Sequence, residues 1–394
     1  MSLLRTEIEN LQPSGIAKIA LPRFTDPSVI PLWIGEGDLV TAEFIREAAK
    51  RAIDEGHTFY ANTRGRGELR DAIKSYLDRV YDMDLNPDRI SVPGSSMMGI
   101  TLAAQMTLGR GRHALIVSPN WPNIETSVRA TGAYIGFVRQ RMEHGRWHLD
   151  ADDIIAAVRK NTRAIYINSP CNPTGWIIPK STLERLLDFC REREILLISD
   201  EVYHRNIYDG EAAPSLITLA TDEDPVIIIN GFSKAWAMTG WRLGWMVAPA
   251  RYAQHIAVLS ECFNTGAPSI VQFAGIAALR DGEDLVRSLR AQYAGGRDIV
   301  MQILGQHPRV ELSKPEGAFY AFPRVPGMGS SLAFAEGLLK EFDVGVAPGY
   351  TFGPGNEEHI RLCFAQSHQR LTEALQRIVA YIDQLGDQLG DRQV

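Results

Sequence analysis

The residue with the clearest chemical potential is Lys234, in Gly231-Phe232-Ser233-Lys234-Ala235-Trp236. It follows Val226-Ile227-Ile228-Ile229-Asn230, a short β-branched run that reads as a buried strand. A lysine just past such a strand, among small and apolar neighbours, pays a desolvation cost for its charge. Its pKa should fall and its amine become nucleophilic, as a lysine that forms a Schiff base requires. Arg242, eight residues on, offers a fixed cation for a phosphate.

Other polar groups stand at the ends of expected strands, where open α/β sheets place their ligands. Gly94-Ser95-Ser96 opens a helix after Ile90-Ser91-Val92; its free N–H groups suit a phosphate, and an ordinary N-cap reads the same way. Trp121 follows the strand Ala114 to Val117, either to stack on a flat ring or to fill core. Asn172 lies in the turn-rich Asn168-Ser169-Pro170-Cys171-Asn172-Pro173-Thr174-Gly175. Asp200, with Tyr203 three residues on, ends the strand Ile195 to Ile198; a carboxylate there can pair with a protonated pyridine nitrogen or cap a helix. Arg361 lies in the apolar Ile360-Arg361-Leu362-Cys363-Phe364 and needs a carboxylate, from a substrate or an internal salt bridge.

The elements that position these groups alternate. Helices are expected at Thr41 to Gly56 (capped by Thr41), Gly67 to Met83, Gly94 to Gly109, Asn123 to Thr131 and Thr182 to Glu194. Strands are expected between them, and at Tyr134 to Arg139, Val226 to Ile229 and Leu243 to Val247. That alternation implies an α/β fold, a mostly parallel sheet flanked by helices. After about residue 283 come a charged helix to about Gly305, a strand pair over Val310 to Pro323 around Gly317, a helix from Ser331 to Glu341, and short strands at Val344 to Val346 and Ile360 to Phe364. The expected organisation is a large domain over residues 45–285. Residues 1–44 and 286–394 form a smaller α+β domain.

Taken in order, Tyr60, Gly65, Leu69-Arg70, Gly94-Ser95-Ser96, Trp121, Asn172-Pro173-Thr174-Gly175, Asp200 with Tyr203, Ser233-Lys234 with Arg242, and Arg361 resemble the fold-type I, class I/II aminotransferases that use pyridoxal phosphate (PLP). The resemblance is nearest to the aspartate/aromatic subgroup and runs from about Gly35 to Arg361. It implies that Lys234 carries the cofactor as a Schiff base and shuttles a proton, that Asp200 pairs with the ring nitrogen, and that Tyr203 and Asn172 contact the ring oxygen. Trp121 would stack on the ring. Gly94, Ser95, Ser96, Ser233 and Arg242 would hold the phosphate, joined by Tyr60 from the second subunit of a homodimer with shared active sites. Gly35, Asn172 and Arg361 would receive the substrate. The implied reaction moves an amino group from an L-amino acid, aspartate or aromatic, to a 2-oxo acid by ping-pong kinetics. A C–S β-lyase on the same scaffold is the alternative.

Four positions depart from that pattern or stand out: Pro93 before the phosphate loop, Cys171 before Asn172, His204 after Tyr203, and Arg64 near Tyr60. His204 is either a group supporting the site from behind or, on the favoured reading, a local surface residue. Arg64, or Arg66, is a candidate partner for the distal carboxylate of a dicarboxylic substrate, with a solvated loop arginine as the plainer reading.

Composition bounds the rest. The chain has 394 residues, is 45% hydrophobic and carries a net charge of −6, so no nucleic-acid partner is expected. Motifs that begin by Gly35 to Tyr60 likewise leave no expected DNA-binding domain before them. Cys171, Cys190, Cys262 and Cys363 form no CxxC pair and read as small buried side chains, with no metal site. Met1 to Arg23 lacks a leader's apolar run, and no stretch reaches the roughly 20 apolar residues of a membrane span. A cytoplasmic location is expected.

Overall fold

The computed structural model describes residues 3–390, with side chains through Asp387. Its centre is a seven-stranded sheet. The strands are β1 (Ile90–Gly94), β2 (His113–Ser118), β3 (Tyr134–Arg139), β4 (Thr162–Asn168), β5 (Leu196–Asp200), β6 (Val226–Gly231) and β7 (Gly244–Val247). Their spatial order is β1-β7-β6-β5-β4-β2-β3. β7 runs antiparallel to both its neighbours, and the other pairings are parallel.

Strand alternation accounts for the layers. Leu115, Ile165, Leu197 and Ile228 point to one face, packing with Ile45, Leu69, Leu183 and Ala274 of helices Glu43–Asp54, Gly67–Tyr81, Lys180–Arg193 and Ser269–Asp281. Ile116, Tyr166, Ile198 and Ile229 point to the other, against Ile100, Ile124 and Ile256 of helices Ser96–Thr107, Asn123–Ala130 and Ala253–Asn264. Both faces are covered, so the strands read as continuous apolar runs rather than as alternating ones. The C-terminal ends of the parallel strands gather Asn168, Asp200 and Gly231 at one edge of the sheet.

A separate core joins Ile19, Ile30 and Trp33 to Tyr293, Phe319, Leu338, Leu362 and Leu371. Ile30–Pro31 pairs in parallel with Val344–Gly345, which ties the N-terminal segment to the C-terminal part of the chain. A three-stranded sheet of Tyr320–Ala321, Ile360–Cys363 and Ala347–Pro348 lies in this part, with helices Glu283–Ile303, Ser331–Phe342 and His368–Gly390.

Three local expectations change. Val310 to Pro323 is not a strand pair; Tyr320–Ala321 is its one named strand. Glu311 and Arg324 exchange backbone hydrogen bonds at 2.9 Å, but the largely buried segment between them pairs with other loops, with Gly317 N donating to Gly175 O at 2.8 Å and Ala318 N to Asn206 O at 2.7 Å. Around Gly317 the backbone N–H groups are thus satisfied by the loops after β4 and β5. Thr41 does not cap the following helix. Its hydroxyl donates to Ala237 O at 2.6 Å and accepts from Trp241 Nε1 at 3.0 Å, so the helix begins at Glu43. Cys262 is exposed, whereas the other three cysteines are buried.

Gly345 tests how tightly the N-terminal segment is docked. A Cβ there would overlap ring carbons of Trp33, which is fully buried. Gly345→Ala should destabilise the protein by about 1–3 kcal/mol. Thermal melting would read this as a lowered midpoint; an unchanged midpoint would mean that Trp33 repacks freely.

Candidate active site

A hollow of about 580 Å³ opens at the C-terminal edge of the sheet, between it and the N-terminal segment. Its lining includes Gly35, Ser96, Trp121, Asn172, Asp200, Tyr203, Ser233, Lys234, Arg242 and Arg361. The chain is far apart in sequence at these points, and the strand ends bring them together.

Lys234 sits in the single helical turn Phe232–Ala235 that follows β6. Its Nζ donates to Gly35 O at 2.6 Å and lies 5.7 Å from the ring centroids of both Tyr203 and Phe319. Desolvation pulls this ammonium down to about 8. Asp200 ends β5 and is buried. Burial pushes its carboxyl up to about 6, against the opposing pull of hydrogen bonds from Tyr166 and Val202 and of the nearby Lys234 charge. The acid is therefore ionised at neutral pH while the lysine, unlike a surface one, releases its proton readily.

Arg361 is 2% exposed, and among the described residues it forms no ion pair. Its Nη1 donates to Asn172 Oδ1 at 3.3 Å and its Nη2 to the carbonyl of Trp33. The guanidinium lies over the rings of Tyr320 (4.6 Å) and Phe352 (5.3 Å), and its Nε has no hydrogen-bond partner. The internal salt bridge that the sequence left open is not formed among the described residues. A buried cation held only by neutral groups is built to receive an anion.

The groups expected around a phosphate are also here. Ser95 caps the helix Ser96–Thr107, its side chain accepting from Met98 N at 3.2 Å, and Gly94 before it has φ 125°. Ser96 Oγ donates to Asn230 O at 2.8 Å. Arg242 is exposed and takes part in no ion pair among the described residues; its Nη1 donates to Thr239 O at 2.7 Å. Gly94 and Ser95 do not line the hollow themselves, whereas Ser96, Ser233 and Arg242 do.

Three expected residues lie elsewhere. Tyr60 is 91% exposed and outside the hollow. Arg64 is committed to the chain, donating to Asp88 O at 2.6 Å, Ile90 O at 3.1 Å and Ser91 Oγ at 3.4 Å. Arg66 bonds Ser269 and Glu68 and stacks on Phe273. Neither arginine is a free cation at the mouth, because backbone carbonyls or a carboxylate already occupy each guanidinium. His204 is not a surface residue: it is fully buried, shares a 2.7 Å hydrogen bond with Tyr76 Oη, and is pushed down to about 3 by desolvation. The strand-end loop that carries Tyr203 turns back into the core at that point.

Two residues that sequence reasoning passes over, Tyr320 and Tyr166, also shape the site. Tyr320 shares a 2.7 Å hydrogen bond with the hydroxyl of Tyr203. Tyr166 donates to Asp200 from the middle of β4. Ile16 and Trp33 line the hollow, and Asn264 donates to Pro93 O, near the end of β1, at 2.7 Å. A tyrosine within a buried apolar strand was the one hint for Tyr166, since a buried phenol needs a partner.

The profile of the family "Aminotransferase class I and II" matches residues 27–378. The chain belongs to this family. It is 36% identical over 353 residues to an aspartate aminotransferase of Pyrococcus horikoshii, covering 89% of this chain and 90% of that one. It is 35% identical over 382 residues to aromatic-amino-acid aminotransferase 2 of Thermococcus litoralis, with 95% and 97% covered. The solved structure of Thermus thermophilus aspartate aminotransferase with maleate superposes with a TM-score of 0.89 at 31% identity, covering 97% of this chain and all of that one. The protein is thus a PLP-dependent aminotransferase of fold type I, and the β-lyase alternative is not favoured.

The hollow fits the cofactor by its donor set: an amine that deprotonates readily, a buried ionised carboxylate at a strand end, and hydroxyls with an unpaired guanidinium. Gly35 also leaves room where a Cβ would meet the hydroxyl of Tyr320. The depressed Lys234 value is directly measurable. In cofactor-free protein, acylation of the ε-amine should follow a midpoint near pH 8. A midpoint at an ordinary lysine's value of about 10.4 would show that the amine is solvated.

Proposed function

We propose that this aminotransferase takes an aromatic L-amino acid as its preferred donor, with Lys234, Asp200 and Tyr203 as its catalytic residues. The observation that carries the reading is the meeting of Lys234 with Arg361, a buried cation without a counter-ion, in one hollow. The hollow's remaining wall includes Ile16, Ala17, Ile34, Met97 and Ile100. Lys234, Arg242 and Arg361 are the basic residues on its lining. With those three assigned to the amine, the phosphate and the α-carboxylate, this wall favours a flat apolar side chain over aspartate's second carboxylate.

In this reading Arg361 and Asn172 hold the substrate α-carboxylate, the guanidinium through its two-pronged fork. PLP, when bound, supplies the electron sink that makes the substrate Cα–H acidic. Lys234, as a neutral amine, would take that proton from Cα and deliver it to the cofactor's C4′. Asp200 would pair with the ring nitrogen, and Tyr203 and Asn172 would bond the ring oxygen. Trp121 would cover the ring. Gly94, Ser95, Ser96, Ser233 and Arg242 would hold the phosphate, where the helix Ser96–Thr107 presents its positive end.

Tyr60 and the neighbouring Phe59 are 91% and 84% exposed, as suits side chains that reach into a second copy's site; a homodimer is part of the proposal. Four free cysteines accord with a cytoplasmic location. Residues 45–285 would act as the cofactor-binding domain and the remainder as the smaller one.

The test is an absorption titration of the holoenzyme with single amino acids and no 2-oxo acid. Phenylalanine or tyrosine should convert the lysine-bound cofactor band to that of pyridoxamine phosphate at lower concentration than aspartate. Preferential conversion by aspartate would overturn the donor assignment. Accumulating ammonia and pyruvate with the band intact would indicate elimination instead.

A further inference from the structure

Tyr166 stands in β4 on a face of the sheet where its neighbours Ala114, Ile116, Leu196 and Ile198 are apolar and the polar groups, Asn168 and Asp200 among them, stand at the strand ends. It is 1% exposed. β4 and β5 pair in parallel with Tyr166 opposite Ile198 and Asn168 opposite Asp200, so the phenol runs beneath the strand end toward the carboxylate. Its Oη donates to Asp200 Oδ2 at 2.8 Å. The other carboxylate oxygen, Oδ1, accepts from Val202 N at 3.3 Å. Together these two donors orient the carboxylate from below and leave its remaining lone pairs toward the hollow that Asp200 lines.

We propose that Tyr166 is a positioning residue of the reaction, holding the Asp200 carboxylate in the orientation and charge state that keeps a proton on the cofactor's ring nitrogen. The proposal rests on the pairing of Asp200 with that nitrogen. Donation from an uncharged phenol stabilises the carboxylate without competing for the ring proton. Burial holds Tyr166 well above the usual phenol range, so it remains a donor at every working pH. The other titratable groups around Asp200 are Lys234 after β6, Cys171 in the loop after β4, and Glu201 and Tyr203 on its own loop. Cys171 is raised by burial and Tyr203 lies well above the usual range, so both remain neutral near pH 7. Glu201, pushed up to about 7, is bonded away by Ser199, Ser215 and Leu216 N. Without the phenol, the carboxylate becomes a stronger base, and a proton shared with the ring nitrogen moves toward oxygen.

The experiment is the ¹⁵N resonance of ring-labelled PLP bound to the wild type and to Tyr166→Phe, with the pH profile of kcat/KM as a second readout. Tyr166→Phe keeps the ring in the core and removes one hydrogen bond to a charged group. The resonance should move toward that of neutral pyridine, and the acid limb of the profile should rise by about one to two pH units. A wild-type resonance and profile in this variant would overturn the proposal. A neutral nitrogen already in the wild type would instead overturn the Asp200 pairing on which it rests. If Tyr166→Phe does not fold, 3-fluorotyrosine at position 166, a stronger donor, carries the test. It should move both readouts the opposite way, and no movement would overturn the proposal.

Discussion

A buried guanidinium with no carboxylate against it among the described residues, that of Arg361, is the constraint around which this molecule is organised. A guanidinium carries a fixed charge in proteins, so the surroundings of a buried one must compensate with dipoles. A backbone carbonyl from Trp33, the side-chain oxygen of Asn172 and two aromatic faces supply them. These come from the N-terminal segment, from the loop after β4 and from the C-terminal part of the chain. Leaving a buried ion partly satisfied is costly for folding. That cost is the kind that function retains, since a ligand carboxylate recovers it on binding.

The N-terminal segment has a structural share in this that its sequence does not advertise. Leu32 N donates to Gly345 O at 2.8 Å, and Cys363 N donates to Leu32 O at 2.9 Å. Threaded between those strands, the segment delivers the Trp33 carbonyl to Arg361 and, two residues on, the Gly35 carbonyl to Lys234. One short stretch of chain thus touches both cations. Lys234 and Asp200 are shifted toward each other, one down to about 8 and the other up to about 6, chiefly by the same desolvation. Both groups can then exchange protons near neutral pH, which suits acid–base work.

The sheet was legible because its strands are short, apolar and bounded by turn residues; Tyr134 to Arg139 was read to its ends, and the other strands to within about two residues. The strand-end rule located Asp200, Asn172 and Lys234, since topology alone places those positions at one edge. What escaped was decided by tertiary contact. Nothing local in Val310 to Pro323 shows that its backbone will bond to Gly175 and Asn206, and nothing around Arg64 shows that carbonyls of Asp88 and Ile90 will occupy its guanidinium. His204 looked like a loop residue because its partner, Tyr76, is 128 positions away. The Tyr166–Asp200 and Tyr203–Tyr320 bonds were hidden for the same reason.

The most direct test of the account is whether Arg361 is a carboxylate site. Calorimetry of the cofactor-loaded protein with 3-phenylpropionate and with its amide isolates that interaction from turnover. The acid should bind and the neutral amide should not, and Arg361→Leu should weaken the acid at least about 30-fold. Equal binding of acid and amide, or an unchanged affinity in Arg361→Leu, would contradict the central claim that the fold holds this buried cation ready for a substrate's carboxylate.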